Sequence, residues 1–189
     1  MVIRLVRWLC ISSLGLVTQA QAQAQIRDRP ILTPQQLEEP AAVVAWIHKH
    51  GQSADRKRAA QAHEFGVSEQ KRGAIASALK GYGEAALRQP TAPAIITYTD
   101  LSITYRGELR TYLKDHDEFQ TMDLRSFESL YRSALASDDL MPTLSAQERA
   151  RVAANAACID VFLKNRSGVE SCGPLKAYGA RLLSAKRKR

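Results

Sequence analysis

The stretch Ala94-Ile-Ile-Thr-Tyr-Thr-Asp-Leu-Ser-Ile-Thr-Tyr-Arg-Gly-Glu-Leu-Arg-Thr-Tyr-Leu113 decides between an all-α chain and a mixed one. Ile95, Ile96, Tyr98, Ile103, Thr104 and Tyr105 are residue types that favour strands, and Thr99-Asp100 suits a turn. One reading is therefore a small β-hairpin around 94–106. The other is a helix, because Leu101, Tyr105, Leu109, Tyr112 and Leu113 recur at helical spacing. A lone two-stranded hairpin is marginal in water. No other part of the chain offers strands to pair with it, so the expectation is helix.

Outward from this segment, helical signals accumulate. Downstream, Leu124, Phe127, Leu130, Tyr131, Ala134 and Leu135 trace one apolar face, which Asp138-Asp139 and Pro142 bring to an end. Ser145-Ala-Gln-Glu148 has the capping-box pattern, in which the Ser hydroxyl and the Glu carboxylate each satisfy the other's backbone N–H. It opens a helix with Val152, Ala156, Ile159, Phe162 and Leu163 inward. Pro174 starts a last helix facing inward through Leu175, Tyr178 and Leu182. Upstream, Thr33-Pro34-Gln35-Gln36 is a second capping box, and Leu37, Val43, Val44 and Ile47 follow it. Pro40 separates or kinks the first turn, and Gly51 ends the helix. Ser53 or Asp55 starts the next helix, which runs through Ala59, Ala60, Ala62 and Phe65. Gly66 is expected to break it and Ser68 to cap another, buried through Ala74, Ile75, Ala78 and Leu79. Gly81 and Gly83 weaken that helix, Ala85, Ala86 and Leu87 can continue a short helix to Gln89, and Pro90 and Pro93 mark the boundary. The result is an all-α chain: a single compact helical domain of about six or seven helices.

The first 24 residues set the compartment. Arg4 and Arg7 precede the apolar run Trp8–Val17, and small residues from Thr18 to Ala24 offer cleavage sites. This is the pattern of a cleaved signal peptide. Residues 25–31 then form a leader, 32–185 the helical domain and 186–189 a basic tail. About 165 residues remain after cleavage, enough for one domain with a core. The formal charge of +8 falls to +6 when Arg4 and Arg7 leave, and Lys186-Arg-Lys-Arg189 supplies +4 of that. The domain itself is therefore close to neutral. No second apolar run is long enough to span a bilayer. The protein is expected to be exported, either periplasmic or secreted.

Cys10 departs with the signal, leaving Cys158 and Cys172. Two cysteines in an oxidising compartment pair. The polar stretch Lys164-Asn-Arg-Ser-Gly168 between them reads as a helix end and loop, so a disulfide would staple the last two helices. The Cys-x-x-Cys spacing of redox pairs is absent.

Ala59-Ala-Gln-Ala62-His-Glu-Phe65-Gly66-Val67-Ser68 resembles the first helix and turn of the helix-turn-helix DNA-binding family. The resemblance implies a turn at Gly66, a second helix anchored by Ile75 and Leu79, and phosphate contacts from Lys71, Arg72 and Lys80. It covers about 22 residues and departs at Arg72, where the second helix ordinarily turns an apolar side chain inward. An exported chain does not meet chromosomal DNA, so nucleic acid is not the expected partner; a helix-turn-helix DNA-binding protein is the alternative if the N-terminus is not a signal.

Other chemistry is sparse. His48 and His50 diverge by about 200° on a helix and cannot share a metal there. His116 with Asp115 or Glu118 is the nearest approach to a hydrolytic cluster, and a hydrolase assembled from distant residues is the alternative reading. No Gly-x-Ser-x-Gly elbow and no phosphate loop occurs. No metal and no cofactor are expected. Tyr105, Arg106, Arg110 and Tyr112 interleave aromatic and basic side chains, the types that anchor interfaces, and form the candidate partner-binding strip. The expectation is an exported accessory or binding protein whose partner is another protein or an envelope component.

Overall fold

A computed structural model divides the chain into two units, Met1–Pro30 and Ile31–Arg189. It describes residues 30–113, 117–165 and 172–180; within these, the side chains of 111–113 and 117–118 lie outside the description. The expected signal peptide, most of the leader, the basic tail and Leu182 also lie outside the described residues.

Among the described residues there are eight helices and no strand: α1 (Pro34–Leu37), α2 (Pro40–His50), α3 (Arg56–Lys71), α4 (Ile75–Arg88), α5 (Ala92–Leu113), α6 (Asp117–Leu140), α7 (Ala146–Asn165) and α8 (Gly173–Tyr178). The count exceeds the expected six or seven because α1 and α2 are separate and α8 is short. The stretch that favoured β-formers is helical throughout α5. Its hydroxyls take part in the helix: Thr97, Thr99, Ser102 and Thr104 each donate to the carbonyl four residues back. The β-branched residues Ile95, Ile96, Thr99 and Ile103 make the buried face. The stripe expected from Leu101 to Tyr112 is not that face, since Leu101 and Tyr105 are half-buried and Leu109 is exposed.

Both capping boxes form. The Thr33 hydroxyl accepts from Gln36 N at 3.2 Å while Gln36 Oε1 accepts from Thr33 N at 2.9 Å. Glu148 Oε2 accepts from Ser145 N, and Ser145 Oγ accepts from Glu148 N. Asp55 caps α3 by accepting from Arg58 N.

Gly66 does not break the helix. α3 continues to Lys71, and the chain reverses at Gly73, whose φ of 76° a side chain would resist. The physical reason is packing across α4. A β-carbon on Gly66 would lie 2.8 Å from Tyr82 Cδ1, so the glycine gives room to a ring rather than to a turn. Ser68 lies within α3 and caps nothing. The turn that the helix-turn-helix resemblance implies at Gly66 is therefore absent, and α3–α4 is a closely packed hairpin.

α6 lies at the centre, packed on α2, α5 and α7, while α8 touches α5 and α7. The hairpin joins this group through α4, which packs on α5. Leu124, Phe127, Leu130, Tyr131 and Ala134 of α6 meet Val43, Trp46 and Ile47 of α2, Ile95 and Ile103 of α5, and Val152, Ile159 and Phe162 of α7 in one buried cluster. Burying each large side chain here contributes roughly 1.5–3 kcal/mol.

Cys158 of α7 and Cys172, just before α8, form a disulfide with their Cα atoms 5.9 Å apart. The staple thus holds the last two described helices together, as their spacing predicts.

Candidate functional site

The strip on α5 is placed at its junction with α6 and α8. Tyr105 is half-buried. Arg106, with 55% of its side chain exposed, pairs with Asp123 of α6. Arg110 Nη1 donates to Oε1 of the fully buried Gln120 at 2.7 Å. Its guanidinium carbon also lies 4.7 Å from the centre of the Tyr178 ring, within the range of a cation–π contact. The Tyr178 hydroxyl donates to Asp123 Oδ2 at 2.8 Å, and its ring meets Phe127 edge-on at 5.5 Å. The structure therefore brings Arg106 and Arg110 together around Asp123 and Tyr178, where they hold α5, α6 and α8 in register. Tyr105 and the exposed side of Arg106 are the parts of the strip that face outward. The Tyr112 side chain lies outside the described residues, as do those of Asp115, His116 and Glu118.

A second region was not singled out from the sequence. Two shallow depressions flank α4. One, of about 430 Å³, is lined by Arg58, Gln61, Ala62, Phe65, Glu84 and Arg88. The other, of about 340 Å³, is walled by Leu79, Gly83, Leu87, Tyr98 and Ile31, with Lys80, Glu84 and Arg88 also lining it. Arg88 pairs with Glu84 at 2.9 Å on the ridge common to both. Phe65 is 49% exposed. The signal that could have revealed this surface is the spacing of Arg58, Gln61 and Phe65, which puts all three on one side of α3.

The remaining polar clusters join helices. The Tyr131 hydroxyl donates to Asp100 Oδ1 at 2.6 Å, and Arg151 Nη1 donates to Asp100 Oδ2 at 3.1 Å, tying α5, α6 and α7 together. Burial, then the Asp100 charge and hydrogen bond, push the Tyr131 phenol far above its ordinary range, so it remains a donor. Asp138 Oδ1 accepts from Thr143 N at 2.8 Å and Leu144 N at 3.0 Å, and Oδ2 from Arg149 at 2.9 Å. Burial alone would raise the Asp138 pKa, but these donors outweigh it and hold the carboxyl below the usual carboxylate range.

His50 leans on Trp46 with ring centres 5.7 Å apart, and His63 on Tyr82 at 5.2 Å, on separate helices. Among the described residues no three His, Cys, Asp or Glu side chains gather as a metal site. No described helix is long and apolar enough to cross a membrane. Lys71, Arg72 and Lys80, the phosphate contacts implied by the helix-turn-helix resemblance, are exposed, Lys71 and Arg72 at the α3–α4 turn and Lys80 midway along α4, with Arg72 paired to Glu69 at 2.8 Å. No protein-family model, curated protein or solved structure matches the chain.

Proposed function

We propose that the chain is an exported, disulfide-stapled helical binding module that engages another protein or an envelope component and needs no cofactor. The observation that carries this reading is the Cys158–Cys172 disulfide, a linkage that persists in oxidising compartments and is rare in the cytosol. The basic and apolar pattern of residues 1–24 supports the same address. Tyr105 and Arg106 at the α5–α6 junction are the surface offered to a partner.

The experiment is the intact mass of the non-reduced protein from a periplasmic extract of its native host. The expected species begins between Gln21 and Gln25 and is about 2 Da lighter than the dithiol, the two hydrogens lost on pairing. A full-length, reduced protein confined to the cytoplasm would overturn the reading.

A further inference from the structure

Three helix ends meet at one end of the α3–α4 hairpin. The chain reverses at Gly73, so the first turn of α3 lies beside the last turn of α4, and the loop from α2 enters there. Lys49 comes from the end of α2, Arg56, Lys57 and Arg58 from the start of α3, and Arg88 from the end of α4. Residues 48–58 carry four basic residues and two histidines against the single carboxylate of Asp55. Asp55 is buried and pairs with Arg58 at 3.6 Å, and Glu84 pairs with Arg88. Among the described residues no ion pair reaches Lys49, Arg56 or Lys57, and all three are exposed.

The placement opposes local stability. A helix N-terminus carries positive partial charge and favours acidic residues. The first turn of α3 has none, and three cations instead. Charge is also segregated along the chain. Residues 53–89 hold seven basic and four acidic residues, while residues 90–180 hold ten basic and twelve acidic. The half-exposed Phe65 ring lines the 430 Å³ depression together with Arg58 and Arg88, on the flank of the hairpin about two turns of α3 beyond Arg58.

We propose that this end of the hairpin, formed by Lys49, Arg56, Lys57, Arg58 and Arg88 with Phe65 on the adjoining Arg58–Arg88 flank, docks on an anionic phospholipid surface. The cations sit on exposed helix ends that a plane can approach, and they complement lipid phosphates. The surface ion pairs of Arg58 and Arg88 are weak enough to be exchanged for a phosphate. Phe65 gains by leaving water for the headgroup boundary, a gain that duplex phosphates do not offer. This inference concerns a different face from the α5–α6 strip and does not depend on where the chain resides.

The test is co-sedimentation of the full chain with phosphatidylcholine vesicles, with and without phosphatidylglycerol. Lys186, Arg187, Lys188 and Arg189 are changed to Gln in every sample so that the tail makes no contribution. Binding is expected only with phosphatidylglycerol and should weaken with added salt. Changing Lys49, Arg56 and Lys57 together to Gln should lower partitioning by about a hundredfold, the order that three surface-facing cations supply. Phe65→Ala should lower it several-fold while leaving the salt dependence in place. A double variant at the opposite end, Lys71→Gln and Arg72→Gln, should bind as before. The proposal is overturned if the triple variant and the double variant bind alike, if phosphatidylcholine alone binds as well, or if duplex DNA competes the protein off the vesicles while binding it more tightly.

Discussion

A β-carbon on Gly81 would stand 2.7 Å from the backbone nitrogen of Gly66, so these two residues fix how closely α3 and α4 cross. Ala59 and Ala62 on one helix and Ala78 and Ala85 on the other continue the same seam, all buried. Close approach of two backbones makes many weak dispersion contacts without long side chains to order.

Alanine substitutions should therefore split by position. Within a helix, Gly→Ala ordinarily stabilises by about 0.5–1 kcal/mol. At Gly81 the new methyl meets backbone, which cannot give way, and the expected result is a loss of about 1–3 kcal/mol. At Gly83 the nearest atom is Tyr98 Cε2 at 3.2 Å, on a half-exposed ring bordering a depression and free to turn aside. Gly83→Ala should be neutral or stabilising. Urea unfolding of both variants checks the contrast, and equal destabilisation would contradict it.

The Cys158–Cys172 link closes a loop of sequence separation 14. Constraining an unfolded loop of that size contributes about 3 kcal/mol in the chain-entropy model. Adding reductant, or changing both cysteines to Ser, should lower Tm by roughly 6–12 °C for a domain of this size. Calorimetry with and without reductant measures it. An unchanged Tm would mean that the α8 contacts alone hold the segment.

Asp138 makes stability fall in acid. Its carboxyl is held below the ordinary range in the folded chain. The stabilisation it brings is therefore complete above about pH 4, the unfolded value, and is lost as pH falls through the lower folded value. Asp138→Asn keeps one acceptor but loses the charge that Arg149 meets, at a cost of about 1–2 kcal/mol near neutrality. Its unfolding free energy should also decline less between neutrality and strong acid than that of the parent. Parallel acid dependences in denaturant titrations would exclude the role.

Reversing the charges at the start of α3 should raise stability. Arg56→Glu with Lys57→Glu puts acids where the helix favours them. A rise of about a few degrees in Tm is expected, together with loss of vesicle binding. Such opposition between stability and binding is common where a surface serves a ligand. A lowered Tm would show that the two cations support the fold.

Legibility from sequence tracked the range of each interaction. The caps at Thr33 and Ser145 were readable because both partners lie within three residues. The buried face of α6 was readable because one helix carries its whole period. Gly66 was misread because a glycine that opens a turn and one that admits a neighbouring ring look alike until Tyr82 is placed beside it. In α5, the strand-favouring Ile and Thr residues proved to be the buried face, with the Thr hydroxyls bonded back along the helix. The candidate strip on α5 was legible as residue types only. Arg110 meets Tyr178 from 68 positions away, and that contact appears only when α8 folds back onto α5. The exposed setting of Phe65 beside Arg88 was not legible because Arg88 belongs to another helix.

Gly107 gives the docking of α8 a consequence in time. A β-carbon there would lie 2.6 Å from the Ala177 carbonyl oxygen, so the α5 backbone is shaped to receive α8. The receiving surface leaves the ribosome roughly seventy residues before the piece that fills it. Throughout that interval Phe127 and the neighbouring face of α5 lack their cover. This part of the core closes only when α8 arrives. The order of synthesis thus delays the covering of Phe127 until α8 has been made, a cost of building a core from contacts distant in sequence.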